Sequence, residues 1–203
     1  MNSHPHGATS EGAGTPGTLR RALVLVGMMG VGKTSIGQVL AKRLGARFAD
    51  SDHEIELAAG LAVPEIFARF GEPYFRAGEA RVIARLLDGP PLVLATGGGA
   101  FIEAATRELI TARALAVWLR ADLDTIYERV RGRSGRPLLA TADPRATLAE
   151  LAQRRNPVYA LADLTVDGRP GERHEAAADR VLEALRQHDA AMPPDDRLLR
   201  EKD

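Results

Sequence analysis

An eight-residue segment near the start of the chain constrains the fold more than any other feature. Gly27-Met-Met-Gly-Val-Gly-Lys-Thr34 follows an apolar run at residues 22–26 and precedes a helix-like segment at residues 35–44. Glycines allow a tight turn whose N–H groups point inward, and a helix start adds further unpaired N–H groups and partial positive charge. The pattern G-x-x-x-x-G-K-[ST] between a strand and a helix therefore predicts a triphosphate-binding loop rather than a chance glycine-rich turn.

Two residues of this loop have distinct predicted roles. Lys33 can reach the β- and γ-phosphates of a bound nucleotide, and the Thr34 hydroxyl can ligate Mg²⁺. Lysine is rare in this chain, with Lys42 and Lys202 the only others, which makes a chance match to the pattern less plausible.

Composition narrows the possible functions. The 203 residues suffice for one sizeable core, and Lys+Arg and Asp+Glu both total 27, so the net charge predicts no general attraction to nucleic acid or anionic membranes. The absence of cysteine excludes disulfides, thiolate catalysis and Cys-ligated zinc. No apolar run is long enough to span a bilayer.

The two ends of the chain differ from the rest. Residues 1–18 are rich in Gly, Ser, Thr and Pro, and we expect them to be disordered because they offer little apolar surface to bury. They have neither the apolar segment of a secretory signal nor the arginines of a transit peptide. Residues 19–188 are predicted to form a single domain, and residues 189–203 a polar tail with no clear fold.

Between these ends, strand-like and helix-like segments alternate, which predicts an α/β protein with a parallel sheet. Strands are predicted at residues 19–27, 46–50, 92–95, 115–119 and 164–166. Helices are predicted at residues 33–44, 52–61, 63–87 with a break near 71–73, 102–112, 122–130, 144–162 with a break at 157, and 172–188.

Two acids at the end of the second predicted strand are candidates for phosphoryl-transfer chemistry. On an extended backbone, Asp50 and Asp52 would point the same way, beyond the strand end. One could serve Mg²⁺ and the other could accept a hydroxyl proton. The alternative is an ordinary acidic cap before a helix, and spacing alone leaves both interpretations open.

A glycine run and an arginine-rich window are weaker signals. Thr96-Gly-Gly-Gly99 follows a buried strand and would let a small ligand approach backbone N–H groups, although a flexible turn explains it equally well. Arginine forks in a mobile loop could bind phosphates and exclude water, but a solvated basic face would account for several of them. The window contains Arg129, Arg131, Arg133, Arg136, Arg145, Arg154 and Arg155.

Together these motifs resemble the shikimate kinase family, a group of small-molecule kinases with a phosphate-binding loop. The likeness covers about residues 19–188, and the two ends lie outside it. It implies a three-layer α/β P-loop kinase fold with a five-stranded parallel sheet in the order 2-3-1-4-5 and a mobile lid at about residues 131–143. The motifs are Gly27-Met-Met-Gly-Val-Gly-Lys-Thr34, Asp50-Ser-Asp52, Phe75-Arg-Ala-Gly-Glu79, Leu94-Ala-Thr-Gly-Gly-Gly99, Arg136-Pro-Leu-Leu139 and Arg155-Asn-Pro-Val-Tyr159.

The resemblance implies roles for individual residues. Lys33, Asp52 and Arg136 would be catalytic, and Thr34 and Asp50 would hold Mg²⁺. We expect Asp52 to be mostly ionised, because Mg²⁺ and arginines favour the charged form. The ATP-binding residues would be Gly30, Val31, Gly32, Lys33, Thr34, Ser35, Arg129, Arg136 and Pro157. The substrate-binding residues would be Asp52, Phe67, Phe75, Arg76, Glu79, Gly97, Gly98, Gly99 and Arg155.

The implied reaction is ATP- and Mg²⁺-dependent phosphorylation of the 3-hydroxyl of shikimate, by a cytoplasmic and monomeric enzyme of aromatic amino-acid synthesis. Shikimate and ATP would be its partners, without nucleic acid or membrane. One alternative is a kinase of the same fold for another acceptor such as gluconate. The other is a nucleotide-binding switch without transferase activity.

Overall fold

The computed structural model describes residues 19–131 and 141–200. The five strands in these residues are β1 (Ala22–Val26), β2 (Arg47–Asp50), β3 (Leu92–Ala95), β4 (Ala114–Arg120) and β5 (Leu164–Asp167). The helices there are α1 (Lys33–Leu44), α2 (Ser51–Ala59), α3 (Val63–Leu87), α4 (Ala104–Arg113), α5 (Leu123–Val130), α6 (Pro144–Tyr159) and α7 (His174–Ala190). The predicted disorder of residues 1–18 and most of the predicted lid lie outside the described residues.

The strands form one parallel sheet in the order β2-β3-β1-β4-β5, which confirms the predicted fold class and strand order. Central strand β1 pairs with β3 and β4, with Val24 opposite Leu94 on one side and Ala116 on the other. All five residues of β1 are buried, as expected for a strand covered by helices on both faces. Trp118 of β4 is also buried and belongs to the core, as predicted.

The parallel arrangement brings the carboxyl ends of the strands to one edge of the sheet. The segments after β1, β2 and β3 begin there, and these are the segments that contain the glycine loop, the two acids and the glycine run. Because ligands of open α/β sheets bind at this edge, the topology gathers the candidate residues in one place.

Helix boundaries follow local signals closely. Gly45 ends α1 in a left-handed conformation with φ 60°, and the Asp122 side chain caps α5 by accepting the Thr125 N–H at 2.7 Å. The predicted break in α3 is present, because Gly71 has non-helical angles of φ 78° and ψ 174°. By contrast, α6 continues through Pro157 and ends at Tyr159 rather than at residue 162.

The prediction that the C-terminal tail has no clear fold is wrong for residues 189–200, which the structure describes. α7 runs past residue 188 to Ala190, and Leu198 is fully buried. The buried Asp189 carboxylate accepts the N–H groups of Leu198 and Leu199, each at 2.8 Å, and Leu199 forms an antiparallel bridge with Leu19. The pairing of Leu19 with this segment also explains why β1 begins at residue 22 rather than 19.

Candidate active site

The segment between β1 and α1 has the backbone of a phosphate-binding loop. Gly27, Gly30 and Gly32 have φ values of 133°, 80° and 99°, a region that residues with a Cβ rarely adopt. Gly32 is the N-cap of α1, so the free N–H groups of the helix start border the loop. These angles explain why the sequence needs glycine at each of the three positions.

Lys33, the first residue of α1, lies across this loop and is only 9% exposed. Its ammonium group donates to the carbonyls of Gly27 at 2.7 Å and Met28 at 2.9 Å. The positive charge is therefore held within the loop, close to where the loop's N–H groups would receive phosphate oxygens.

Thr34 and Asp50 connect the loop to the end of β2. The Thr34 hydroxyl donates to Asp50 Oδ2 at 2.7 Å, while Asp50 Oδ1 accepts the Asp52 N–H at 3.0 Å as the N-cap of α2. A hydroxyl beside a carboxylate provides the hard oxygen ligands that Mg²⁺ prefers, so the two residues fit this ion. Among the described residues, no group of three or more His, Asp or Glu side chains is arranged to hold a metal ion.

The prediction that Asp50 and Asp52 point the same way because both lie on an extended strand is wrong, although Asp52 does reach the site. α2 begins at Ser51, so Asp52 lies in its first turn instead of extending β2. Both interpretations of the acid pair are correct in part, because Asp50 caps a helix while Asp50 and Asp52 both line the same cavity.

The electrostatics of Asp52 combine two opposing effects. Burial and the neighbouring Asp50 raise the pKa of Asp52 above its usual value of 3.8, and Lys33 and Arg76 only partly oppose this rise. We expected nearby cations to favour the charged form. They do so here, but desolvation of the carboxylate has the larger effect.

The glycine run after β3 lies against these acidic side chains. A Cβ built on Gly97 would lie 2.6 Å from Asp52 Oδ1 and 2.9 Å from Glu79 Oε1, and a Cβ on Gly99 would lie 2.3 Å from Arg76 Nη2. Such contacts are impossible for real Cβ atoms. Gly97 and Gly99 therefore lack a Cβ because three functional side chains approach their backbone closely, whereas a Cβ on Gly98 would meet its nearest atom at an ordinary 3.5 Å.

Arg76 and Glu79 of α3 form a largely buried ion pair beside this run. Arg76 Nη1 donates to Glu79 Oε2 at 2.6 Å, and Glu72 accepts from Arg76 Nε and Nη2 at 3.2 and 3.1 Å. Burial raises the pKa of Glu79 to about 7, against the opposing effect of Arg76. Glu79 Oε1 is buried without a hydrogen-bond partner among the described residues, and it faces Gly97.

Arg155 reaches the same glycine run from α6. Its Nη1 donates to the Gly98 carbonyl at 3.4 Å. Arg76 and Arg155, which are 79 residues apart in sequence, thus lie on the two sides of one short turn. The structure brings together the two arginines that the resemblance implied as substrate-binding residues.

Phe67 and Phe75, the two phenylalanines predicted to bind substrate, lie beside Arg76 rather than beside the phosphate-binding loop. The rings of Phe67 and Phe75 are 4.6 Å apart, and the Arg76 guanidinium lies 5.1 Å from the centre of the Phe75 ring. Phe75 is buried and lines a separate cavity of about 280 Å³ with residues of α2 and α3, among them Ile55 and Ile66. Its contact with the site is therefore through Arg76.

A cavity of about 310 Å³ joins the phosphate-binding loop to the acids and the glycine run. Its polar lining includes Arg129, whose Nη1 donates to the Val31 carbonyl at 3.3 Å. The described residues that line it are Met29, Gly30, Gly32, Lys33, Thr34, Ser35, Asp50, Asp52, Thr96, Gly97, Gly98, Arg129 and His174.

Of the described residues that line this cavity, His174 is the one that lies outside every sequence motif and every predicted site noted above. It is the first residue of α7, and its ring atoms lie 3.6 and 3.7 Å from a Cβ built on Gly32. No motif surrounds it, so the sequence carried no signal for this position. The predicted Pro157 is on the exposed side of α6 and is not among the described lining residues. Arg136 lies outside the described residues.

Comparison with known proteins decides the family. A family model described as shikimate kinase matches residues 29–186. The curated shikimate kinase of Bradyrhizobium diazoefficiens is 56% identical over 180 residues, covering 87% of this chain and 86% of the relative. The chain belongs to the shikimate kinase family. The shikimate kinase of Ruegeria pomeroyi is 50% identical over 185 residues, covering 91% of this chain and 95% of the relative.

Solved structures agree with this family membership. A shikimate kinase from Acinetobacter baumannii in complex with shikimate has a TM-score of 0.79 and 37% identity, covering 83% of this chain and 94% of that one. A gluconokinase from Sinorhizobium meliloti has a TM-score of 0.54 at 18% identity, covering 86% of this chain and 99% of that one, and it shares the fold alone.

Proposed function

We propose that this protein transfers the γ-phosphoryl group of ATP to the 3-hydroxyl of shikimate, giving shikimate 3-phosphate and ADP. One observation carries the proposal. The phosphate-binding loop and the side chains of Asp52, Arg76 and Arg155 converge on one glycine run at the carboxyl edge of the sheet. Shikimate has one carboxylate and three hydroxyls, so a site for it needs cations, hydroxyl partners and one acid near the γ-phosphate.

The nucleotide half of the site would use the loop between β1 and α1. The loop's N–H groups and Lys33 would bind the phosphates, and Arg129 and His174 would border the nucleotide on the α5 and α7 sides. Arg136 remains a proposed catalytic residue from the sequence resemblance. Catalysis would come from positioning and from neutralising charge on the transferred group.

We propose Thr34 and Asp50 as the residues that would hold Mg²⁺ together with ATP oxygens. The ion, when bound, neutralises phosphate charge. Their existing hydrogen bond at 2.7 Å keeps the hydroxyl and carboxylate adjacent before any ligand arrives.

The acceptor half would use the other side of the cavity. Asp52 would accept the proton of the reacting hydroxyl, and its raised pKa brings it nearer to the pH at which a base works well. Arg76 and Arg155 would bind the carboxylate, with Glu79 orienting Arg76 through their 2.6 Å hydrogen bond. The backbone of Gly97, Gly98 and Gly99 would contact the other hydroxyls.

We also propose a monomeric, cytoplasmic enzyme. No helix in residues 19–131 and 141–200 combines the length and apolar character needed to cross a membrane.

The test is ADP release from ATP and Mg²⁺, measured with shikimate, with gluconate and with no acceptor. We expect stimulation by shikimate alone. Stimulation by gluconate instead would favour the sugar-acid kinase, and nucleotide binding without stimulation by either would favour the switch.

Arg76→Ala makes the test specific to the acceptor site, because it should raise the KM for shikimate far more than the KM for ATP. Arg81→Ala is the matched control, since it removes the same charge from an exposed position of α3. A larger effect on ATP than on shikimate would contradict the carboxylate role of Arg76.

A further inference from the structure

Two backbone groups of the glycine run have side-chain partners whose role the proposed function leaves open. The Gly97 N–H donates to the hydroxyl of Ser51 at 3.0 Å. The Gly98 carbonyl accepts a hydrogen bond from the hydroxyl of Tyr159. Ser51 and Tyr159 are both fully buried, and they approach the run from α2 and from α6.

We propose that Tyr159 is a positioning residue for the acceptor, which sets the glycine run and Arg155 relative to each other. This inference rests on the proposed function of that site. It concerns a residue that need not touch substrate, because Tyr159 acts through the Gly98 carbonyl.

The argument begins with the carbonyl that two side chains share. Gly98 O accepts from the Tyr159 hydroxyl and from Arg155 Nη1, and the two donors are four residues apart on α6. Residues at this spacing lie on the same face of a helix. With Tyr159 in place, Arg155 contacts the carbonyl at a long 3.4 Å and also interacts with the Tyr159 side chain. Tyr159 therefore holds the guanidinium beside the run, where its other N–H groups can receive an anionic group.

The environment keeps Tyr159 in its role as donor. Burial raises the pKa of its phenol to about 12, so the hydroxyl keeps its proton at neutral pH. The ring lies against Trp118 of β4, with 6.0 Å between ring centres. Tyr159 therefore joins the core strand, the Arg155 helix and the glycine run.

Without the Tyr159 hydroxyl, Arg155 would be the one side-chain donor left to the Gly98 carbonyl among the residues that the structure describes. Because the half-buried Gly98 carbonyl would lose its hydroxyl donor, Arg155 would be drawn towards Gly98 and away from the substrate carboxylate. The glycine run would at the same time lose its link to α6. Both effects weaken acceptor binding while leaving the phosphate-binding loop intact.

The decisive experiment is Tyr159→Phe in the full chain, with steady-state kinetics in each substrate. We expect the KM for shikimate to rise about three- to tenfold, as for loss of one partly buried hydrogen bond, with the KM for ATP changed less than twofold. Tyr127→Phe is the matched control, since it removes the same hydroxyl from a half-buried position on α5 and should change neither constant.

The split between the two KM values separates positioning from a purely structural role. If Tyr159→Phe lowers only the melting temperature, or raises both KM values equally, the inference is wrong. If this variant does not fold, Ser51→Ala decides the matter, because it frees the same run at Gly97 and must produce the same split. Absence of shikimate-dependent turnover in the unchanged protein would instead overturn the proposed function, and this inference with it.

Discussion

A single methyl group on Gly99 should displace the arginine that we propose for the acceptor carboxylate. In Gly99→Ala, the new Cβ would lie 2.3 Å from Arg76 Nη2 and 2.5 Å from both Cζ and Nη1. Ordinary contact begins near 3.4 Å, so the guanidinium must retreat by about 1 Å. The Gly99 backbone itself does not have the positive φ that would strain alanine.

The size of the effect follows from what holds Arg76. Glu79 and Glu72 bind its guanidinium at 2.6 and 3.1 Å, so the retreat must distort these bonds or the approach to substrate. A hydrogen bond between charged groups contributes about 1.5–3 kcal/mol, which corresponds to a roughly 10- to 150-fold rise in the KM for shikimate. The KM for ATP should change little, because the three atoms nearest to the new Cβ all belong to Arg76 and none to the phosphate-binding loop.

The assay varies shikimate at saturating ATP and then ATP at saturating shikimate. Gly78→Ala is the matched control, since it adds the same methyl group two residues from Arg76 with its nearest neighbour 4.0 Å away. Alanine should even stabilise this helical position by about 0.5–1 kcal/mol. An unchanged KM for shikimate in Gly99→Ala, or an equal rise in the KM for ATP, would refute the reasoning.

Three further predictions concern charge and stability. Lys33→Ala should lower kcat by about a hundredfold or more without unfolding the chain, and an unchanged kcat would contradict the nucleotide site. Burial raises the pKa of Glu79 from 4.5 to about 7. The free energy of unfolding in urea should therefore fall as the pH rises from 4.5 to 7, by roughly 3 kcal/mol more than in Glu79→Gln. Parallel pH profiles of the two proteins would disprove this. Asp189→Ala should cost about 2–4 kcal/mol of unfolding free energy through two lost N–H bonds, whereas exposed Asp195→Ala should cost under about 0.5 kcal/mol. Equal losses of unfolding free energy in the two variants would show that Asp189 does not hold Leu198 and Leu199 in place.

Local physical chemistry explains which parts of the fold the sequence revealed. α1 and β3 have the predicted bounds because their limits depend on neighbouring residues, such as the left-handed Gly45. Strand order came from the family resemblance, since apolar runs alone do not say which strands pair. The prediction for the C-terminal segment was wrong because Leu198 is the one fully buried apolar residue among its described positions 189–200, and the polar average of the segment conceals it.

The candidate site also has parts that the local sequence determines and parts that depend on tertiary contacts. The sequence by itself determined the phosphate-binding loop, because every residue that shapes it lies within eight positions and its glycines meet a local backbone requirement. Only the tertiary structure decided that His174 borders this loop and that Tyr159 holds Gly98, since these contacts join segments more than 60 residues apart. It also decided the direction of the Asp52 pKa shift, because desolvation depends on everything packed around a carboxylate and not on its neighbours in sequence.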